Sequence, residues 1–200
     1  LSAKEILQTG LEELKNFSLS SILPALRNLN EGALEDVLNI NGCCYYQWTS
    51  ALVKKLQLNQ IVELGGAMGV WDLMVLNNLP PESKLYSITL PEHGLEYSFM
   101  ADKYANFYSS LGDDLDLNNW PKDLDLKQTD LWFFDTEHNP EQLRKEFDLY
   151  SPFFKKGAII LVDDIHTFGL DPVWNEVKVH YDSMDATDPL HFSGFGLCVV

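Results

Sequence analysis

From residue 60 onwards, short apolar runs alternate with longer amphipathic stretches, and this alternation limits the folds open to the chain. The apolar runs fall at residues 61–64, 84–90, 107–110, 130–135 and 158–164. Runs of this length indicate buried strands, and the amphipathic stretches between them indicate helices. Because strand and helix alternate, the pattern predicts an α/β fold in which helices cover both faces of a parallel sheet.

The first part of the chain has a different pattern. Its apolar residues recur at helical spacing and are interrupted by Pro24, Gly32 and Gly42. We therefore expect an N-terminal helical cap over residues 1–59 and a sheet domain over residues 60–200.

Two later segments of the sheet domain have clear boundary signals. Asn139 is a favourable helix cap, Pro140 fits the first turn of that helix, and residues 155–157 (KKG) should end it. Residues 190–192 and 196–200 predict a closing hairpin.

The charge balance narrows the choice of partners. The chain has 14 Lys and Arg residues against 30 Asp and Glu residues, which gives a formal charge of −16. We expect no nucleic-acid partner, since nucleic-acid binders neutralise phosphates with clustered Lys and Arg. No apolar run approaches the ~18–20 residues that cross a bilayer, so we expect no membrane span. Cys43, Cys44 and Cys198 are too few for a disulfide framework, and we expect a cytoplasmic protein.

The loop that follows the first predicted strand is rich in glycine. Residues 63–69 read ELGGAMG and open a helix near Val70. Glycine lets the backbone approach a ligand closely, and a helix N-terminus presents unpaired amide hydrogens. A nicotinamide dinucleotide site would need the spacing GxGxxG, which residues 65–70 do not have. The loop is therefore a candidate for another ligand, and a plain tight turn is the alternative.

Acidic residues end two neighbouring predicted strands. Asp135 ends one of them, and Asp163 and Asp164 end the next. The carboxyl ends of parallel strands meet at one edge of an open α/β sheet, where such folds bind ligands. Converging carboxylates repel one another unless a cation or hydrogen bonds hold them, so these three residues are candidate ligands of Mg²⁺ (magnesium). The alternative is that Asp163 and Asp164 brace or cap loops.

Taken in order, these features resemble those of the class I S-adenosylmethionine-dependent methyltransferases. The likeness runs from about residue 60 to the C-terminus. Four motifs match in order: residues 63–69 after the first strand, Gly112 and Asp113 after the third, Asp135 after the fourth, and Asp163 and Asp164 after the fifth. Residues 194–200 resemble the last, antiparallel strand of that family. The resemblance implies a three-layer, doubly wound, Rossmann-like sheet that is mostly parallel, and S-adenosylmethionine as the cofactor.

The same resemblance implies which residues contact the cofactor. In that family the glycine loop holds the methionine moiety, and the aspartate after the third strand approaches the adenine amine. The residues implied are Glu63, Gly65, Gly66, Gly69, Asp113 and Asp135. The family usually has an acidic residue at the end of the second strand that binds both ribose hydroxyls, whereas this chain has Thr89 there. Thr89 is the expected ribose contact, although a hydroxyl lacks the charge of a carboxylate, and Glu92 is the alternative.

The carboxylates resemble those of the metal-dependent O-methyltransferases that act on sugar or polyketide hydroxyls. This implies a magnesium ion held by Asp135, Asp163 and Asp164. Residues 135–138 match the D-x-x-H variant of that group, which implies Asp135 and His138 as catalytic residues, with the histidine as base. An ordinary pKa near ~6.5 would let His138 accept a proton at neutral pH, and a surface loop position is the alternative. His166 is a weaker candidate for a catalytic histidine. The remaining histidines are expected in surface or packing positions: His93, His180 and His191.

These features together predict an enzyme that moves the methyl group of S-adenosylmethionine to a hydroxyl of a small-molecule substrate. A non-catalytic binding domain is the first alternative, and Thr89 is the feature in its favour. A nicotinamide oxidoreductase is the second alternative, and the glycine spacing argues against it. The N-terminal helices are candidates for covering the substrate or for forming a homodimer contact.

Overall fold

The backbone forms one seven-stranded sheet in a computed structural model that describes residues 1–29 and 44–200. The strand order is β3-β2-β1-β4-β5-β7-β6. The strands are β1 (Gln60–Leu64), β2 (Lys84–Thr89), β3 (Phe107–Leu111), β4 (Leu131–Phe134), β5 (Ile159–Asp163), β6 (Asp182–Asp185) and β7 (Phe195–Val199). Strands β1 to β5 are parallel, and β7 runs antiparallel to both β5 and β6. The predicted mostly parallel sheet with an antiparallel last strand is therefore confirmed.

Helices cover both faces of the sheet. They are α1 (Ala3–Leu14), α2 (Leu23–Leu29), α3 (Tyr45–Leu56), α4 (Val70–Leu76), α5 (Gly94–Lys103), α6 (Pro140–Tyr150), α7 (Asp171–Val177) and the short helix α8 (Thr187–Leu190). Helices α1 to α5 contribute to the core on one face, and α6 and α7 contribute to the core on the other. This is the predicted three-layer arrangement. Within residues 1–29 and 44–200, no helix is long and apolar enough to cross a membrane.

The central strands are apolar throughout because their side chains alternate between the two cores. In β4, Leu131 and Phe133 enter the core under the N-terminal helices, whereas Trp132 and Phe134 enter the core under α6 and α7. All four side chains are buried. A continuous apolar run is typical of a parallel strand that is covered on both sides.

The N-terminal helices pack directly on the sheet domain. Trp48 of α3 is fully buried, and its indole nitrogen donates a hydrogen bond to the carbonyl oxygen of Leu7 in α1 at 3.2 Å. Both residues belong to the same core as Phe133 of the sheet. A domain boundary at residue 59 stays a prediction, and Cys43 and the expected breaks at Gly32 and Gly42 lie outside the described residues.

Two predicted boundaries were wrong. Helix α6 ends at Tyr150 and not at residues 155–157, because a 3-10 turn that contains Pro152 follows it and proline cannot continue the hydrogen-bond ladder. The first arm of the closing hairpin is β6 and not residues 190–192, because Leu190 is the last residue of α8. Strand β6 is a partly exposed, polar edge strand, so it lacks the apolar signal that marks the other strands.

Strands β1 and β4 are neighbours in the sheet although they are far apart in sequence. The chain builds β2 and β3 on one side of β1 and then crosses to the other side to build β4 and β5. At such a reversal the loops after the two central strands leave in opposite directions and open a crevice at the carboxyl edge of the sheet.

Candidate active site

A cavity of about 610 Å³ opens at this reversal, at the carboxyl ends of β1 to β4. Its lining comprises Gly65, Ala67, Ile88, Thr89, Leu90, His93, Gly112, Asp113, Asp114, Asp135, Thr136, Glu137, His138 and Gln142. The volume lies within the ~300–1,000 Å³ typical of small-molecule sites. The loops after four parallel strands therefore form one ligand-sized cavity.

Gly65 brings the loop after β1 against the loop after β4. Its φ of +89° is in the left-handed region, and its amide donates to the carbonyl oxygen of Ile88 at 3.0 Å. A Cβ at this position would lie 2.0 Å from the carbonyl oxygen of Asp135, which is far inside van der Waals contact. Only glycine satisfies both the backbone angle and the close approach. Gly65 also lines the cavity, as the sequence predicted.

Gly66 and Gly69 were predicted as cofactor contacts, but neither lines the cavity. A Cβ on Gly66 would lie 1.7 Å from the hydroxyl oxygen of Tyr97, and one on Gly69 would lie 2.3 Å from the terminal methyl carbon of Met100. Both neighbours belong to α5, which packs behind the loop. These two glycines therefore make room for α5, and their part in the site is to shape the loop from behind.

Glu63 was predicted as a cofactor contact as well, and its carboxyl group also lies behind the loop. The side chain is 1% exposed and accepts a hydrogen bond from the Ser87 hydroxyl at 2.5 Å. The neighbouring Asp72 carboxylate accepts one from the Tyr97 hydroxyl at 3.0 Å. Burial and the charge of Asp72 raise the pKa of Glu63 well above its usual range, and burial raises the pKa of Asp72. The two carboxyl groups therefore retain a proton and support the loop as a buried pair.

Thr89 and Asp113 lie where the sequence predicted them, in the cavity wall. Thr89 ends β2, and Asp113 follows β3. The Asp113 carboxylate accepts a hydrogen bond from the amide of Leu115 at 2.9 Å, which fixes its side chain in a tight turn. Glu92, the alternative ribose contact, is exposed in the turn Pro91–His93 and is not part of the cavity wall.

His138 joins the acidic residues at the ends of β4 and β5. Its Nε2 lies 3.0 Å from Oδ1 of Asp135 and 3.2 Å from Oδ2 of Asp164, and its ring stacks on Phe168 with centroids 4.9 Å apart. The hydrogen bond to Asp135 raises the pKa of His138 above the ordinary value that we expected. His138 therefore lies in the cavity wall beside the carboxylates and is not a plain surface residue.

The three expected metal ligands do not form one compact group. Among the residues that the structure describes, the group of ligand atoms that all lie within 4.8 Å of one another comes from Asp163, Asp164 and His191. Asp135 does not belong to this group, because its carboxylate turns to His138 instead. Asp135 as a ligand alongside Asp163 and Asp164 therefore stays a prediction.

His191 is the site residue that the sequence prediction missed. Its Nε2 lies 3.4 Å from Oδ1 of Asp163 and 3.7 Å from Oδ1 of Asp164. Burial lowers the pKa of His191, which favours the neutral ring that binds metals. The predicted antiparallel last strand could have indicated His191. Because β7 pairs Phe195 with Asp163 in antiparallel direction, residues just before β7, such as His191, lie near the carboxyl end of β5.

Aromatic side chains surround this histidine and aspartate cluster. Tyr45 stacks on both Tyr46 and His191, with centroids 4.2 Å and 4.8 Å apart. Phe192 packs edge-on against His191 and is 74% exposed, and Phe168 is 63% exposed beside His138. Large aromatic rings, two of them exposed, therefore lie beside the carboxylates and imidazoles.

The family of the chain follows from its central segment. Residues 62–165 match the model of a family described as a methyltransferase domain. The chain belongs to this methyltransferase family. The matched segment runs from β1 to the end of β5 and so contains the glycine loop, Asp113, Asp135 and His138. The methyltransferase predicted from the sequence is confirmed, and no curated protein matches the chain.

Solved structures of other methyltransferases share the fold. The O-methyltransferase TomG of Streptomyces achromogenes, involved in tomaymycin synthesis and solved with S-adenosylmethionine, is 19% identical, with 88% of this chain and 89% of that one covered and a TM-score of 0.64. An O-methyltransferase of Bacillus cereus, solved with S-adenosylhomocysteine, is 14% identical over 94% and 99% of the two chains, with a TM-score of 0.64. A methyltransferase of Geobacter sulfurreducens is 12% identical over 88% and 89%, again with a TM-score of 0.64. At these identities the likeness shows a shared fold.

The contact between Gly65 and Asp135 leads to a stability prediction. We expect Gly65→Ala to lower the free energy of unfolding by more than Gly157→Ala, as measured by urea denaturation. Both glycines have a left-handed φ, which costs an alanine about 1–2 kcal/mol, but no atom lies within 4 Å of the Cβ position at Gly157. The difference between the two variants therefore reports the clash with Asp135. If both variants lost the same free energy of unfolding, the loop after β1 could move away from Asp135 without a cost in stability.

Proposed function

We propose that this methyltransferase uses S-adenosylmethionine to methylate a hydroxyl oxygen of a small molecule. The observation that supports this most strongly is the continuity of one cavity from Asp113 and Thr89, beside the glycine loop, to His138 and Asp135. The first end has the polar groups that the family uses for adenosine. The second has a proton acceptor beside carboxylates, as transfer to a hydroxyl requires.

The charge of the cavity supports a cationic cofactor. Its lining includes the carboxyl groups of Asp113, Asp114, Asp135 and Glu137, and none of the described residues that line it is Lys or Arg. S-adenosylmethionine carries a sulfonium and an ammonium group, whereas a nicotinamide dinucleotide carries phosphates that acidic walls repel. The neighbours solved with S-adenosylmethionine and S-adenosylhomocysteine further support this choice of cofactor.

The residues of the cavity suggest how the cofactor is held. The Asp113 carboxylate can accept a hydrogen bond from the adenine amine, and the Thr89 hydroxyl can bond one ribose oxygen. Gly65 and Ala67 of the glycine loop line the cavity, so the methionine portion can lie against this loop. When bound, the cofactor supplies an electrophilic methyl group for direct displacement.

His138 is the proposed proton acceptor. Its Nε2 lies between Asp135 and Asp164 and donates to these carboxylates, so Nδ1 is the atom that takes the proton when the acceptor hydroxyl loses it. The carboxylates orient the ring and stabilise the imidazolium that forms. Phe168 stacks on the ring and holds its plane. The aromatic side chains beside the cluster offer an apolar surface for the rest of the acceptor molecule.

The same edge of the sheet fits a divalent cation. Asp163 is 5% exposed, its Oδ1 has no hydrogen-bond partner among the described residues, and Asp164 and His191 supply further ligand atoms nearby. A buried carboxylate oxygen without a donor is costly unless a cation or proton satisfies it. We propose that these three residues hold the ion, which would lower the pKa of a bound acceptor hydroxyl. The nitrogen of His191 favours a first-row transition ion over Mg²⁺.

Replacing Asp113 should weaken cofactor binding. We expect Asp113→Ala to raise the Kd for S-adenosylhomocysteine, measured by calorimetry, roughly tenfold to hundredfold, because a hydrogen bond to a charged group contributes ~1.5–3 kcal/mol. Asp102→Ala, at an exposed position in α5, is the matched control and should bind as the unchanged protein does. Absence of any binding by the unchanged protein would instead favour a domain that has lost cofactor binding, for which Thr89 is the supporting feature.

Removing the proposed base should slow turnover and leave cofactor binding intact. We expect His138→Ala to lower kcat by ~10²–10⁴-fold, the usual contribution of a positioned base, with little change in the Kd for S-adenosylhomocysteine. His180→Ala, which removes an exposed histidine, should retain full turnover. Near-normal turnover of the His138 variant would exclude this residue as the base.

The proposed metal ligands can be tested without an assay of turnover. We expect Mn²⁺ titrated into the metal-free protein to release heat and to raise Tm, because an ion that binds only the folded state stabilises it. Asp163→Asn and His191→Ala should each weaken Mn²⁺ binding by at least about tenfold, and Asp148→Asn, on the exposed side of α6, should not. If all the variants bound Mn²⁺ equally well, the ion would not be held by Asp163, Asp164 and His191.

A further inference from the structure

A buried polar cluster lies behind the cavity wall, on one face of α6. Gln142, Glu146 and Tyr150 follow one another at four-residue spacing, so their side chains share a face of the helix. This face meets the loop after β3 at Asp114 and the loop after β4 at Thr136. The reaction proposed above gives no part to Glu146, although its side chain is fully buried.

Hydrogen bonds join the cluster to both loops. The Thr136 hydroxyl donates to Oε1 of Glu146 at 2.7 Å, and the Gln142 amide nitrogen donates to Oδ1 of Asp114 at 3.1 Å. The Tyr150 hydroxyl donates to the carbonyl oxygen of Asp114 and accepts from the indole nitrogen of Trp120 at 2.7 Å. Asp114, Thr136 and Gln142 all line the cavity. The cluster therefore ties two loops of the cavity wall to one helix.

Two oxygens of the cluster lack a donor unless a proton joins them. Oε2 of Glu146 and Oδ2 of Asp114 are buried, and neither has a hydrogen-bond partner among the donors of the described residues. The two side chains are nevertheless within hydrogen-bonding reach of each other. Two ionised carboxylates would repel at this distance, whereas one shared proton satisfies both oxygens.

The surroundings favour retention of that proton. Burial first, and then the charge of Asp114, raise the pKa of Glu146 to about 8, and burial raises the pKa of Asp114. The ionisable groups facing the pair are the carboxylates of Asp113 and Glu137, which raise the pKa of Asp114 further, and the phenol of Tyr150, whose own pKa burial raises. None of these groups is a cation that could replace the proton.

We propose that Glu146 is a positioning residue of the cofactor cavity, whose protonated carboxyl group donates to Asp114 and holds the loop after β3 in its binding shape. The inference rests on the cofactor proposed above, because Asp113, its expected adenine contact, precedes Asp114 in the same loop. When the shared proton leaves, the two charges push the loop and α6 apart. Cofactor affinity then falls, although Glu146 itself touches no cofactor atom.

The expected pH dependence follows from mass action. If only the protonated pair holds the binding shape, the apparent Kd rises as the protonated fraction falls. The Kd for S-adenosylhomocysteine should therefore be nearly constant below the pKa of the pair and about tenfold higher one pH unit above it. Calorimetric titration at intervals from about pH 6.5 to about pH 9.5 measures this curve directly.

One conservative variant should abolish this pH dependence. In Glu146→Gln, the side-chain amide keeps a donor for Asp114 and an acceptor for Thr136 at every pH. This variant should bind S-adenosylhomocysteine at pH 9 about as tightly as the unchanged protein binds it at pH 7. Glu141→Gln, at an exposed position on α6 that is ion-paired with Lys145, should keep the pH dependence of the unchanged protein.

The outcomes separate this inference from the proposed function. If the unchanged protein binds S-adenosylhomocysteine equally well at every pH, or if Glu146→Gln retains the alkaline loss, the positioning role is wrong and the proposed function stands. If no pH gives any binding, the proposed cofactor itself is wrong. Circular dichroism and Tm of each variant at pH 7 and pH 9 show whether a loss of affinity reflects unfolding.

Discussion

The parallel pairing of β1 with β4 is the contact on which the site depends. Its register sets Leu64 opposite Phe134, so both strands end at the same level and their loops begin side by side. Gly65 then packs on the backbone of Asp135 with no space for a side chain. Strands β2 and β3 add the adenosine end of the cavity on one side. On the other side, β5 places Asp164 beside His138 of the cavity wall. A change in this one pairing would separate the cofactor end from the catalytic end.

Acidic side chains accumulate around the cavity, and the fold balances them without lysine or arginine in its lining. The pKa values of two carboxyl pairs are raised, Glu63 with Asp72 behind the wall and Asp114 in the wall with Glu146 behind it, because burial makes two neighbouring charges costly. In the wall, His138 lies between two carboxylates, and the raised pKa of its ring makes the neutral imidazole a stronger base than that of an exposed histidine. The cavity is therefore acidic, which suits a bound cation, while the raised pKa values limit the number of buried negative charges around it.

The glycine-rich loop could be predicted from the sequence, but the contacts of its individual glycines could not. The pattern correctly predicted a tight loop between β1 and α4, because left-handed backbone and close packing both require glycine. It could not indicate what approaches each glycine. At Gly65 the neighbour is the loop after β4, beside the cavity, whereas at Gly66 and Gly69 it is α5, behind the loop. The neighbour is decided by packing between elements that are distant in sequence.

The sequence by itself determined strands β1 to β5 and β7, the parallel character of the sheet, the glycine turn and the acidic strand ends at Asp135 and Asp163, because apolar periodicity and turn chemistry are local properties. Only the tertiary structure decided which side chains meet. Because β7 pairs antiparallel with β5, His191 lies beside Asp163 and Asp164. The packing of α6 places Glu146 against Asp114. A lone histidine or a helical glutamate has no distinguishing local pattern, since its role is set by the partners that long-range packing brings to it.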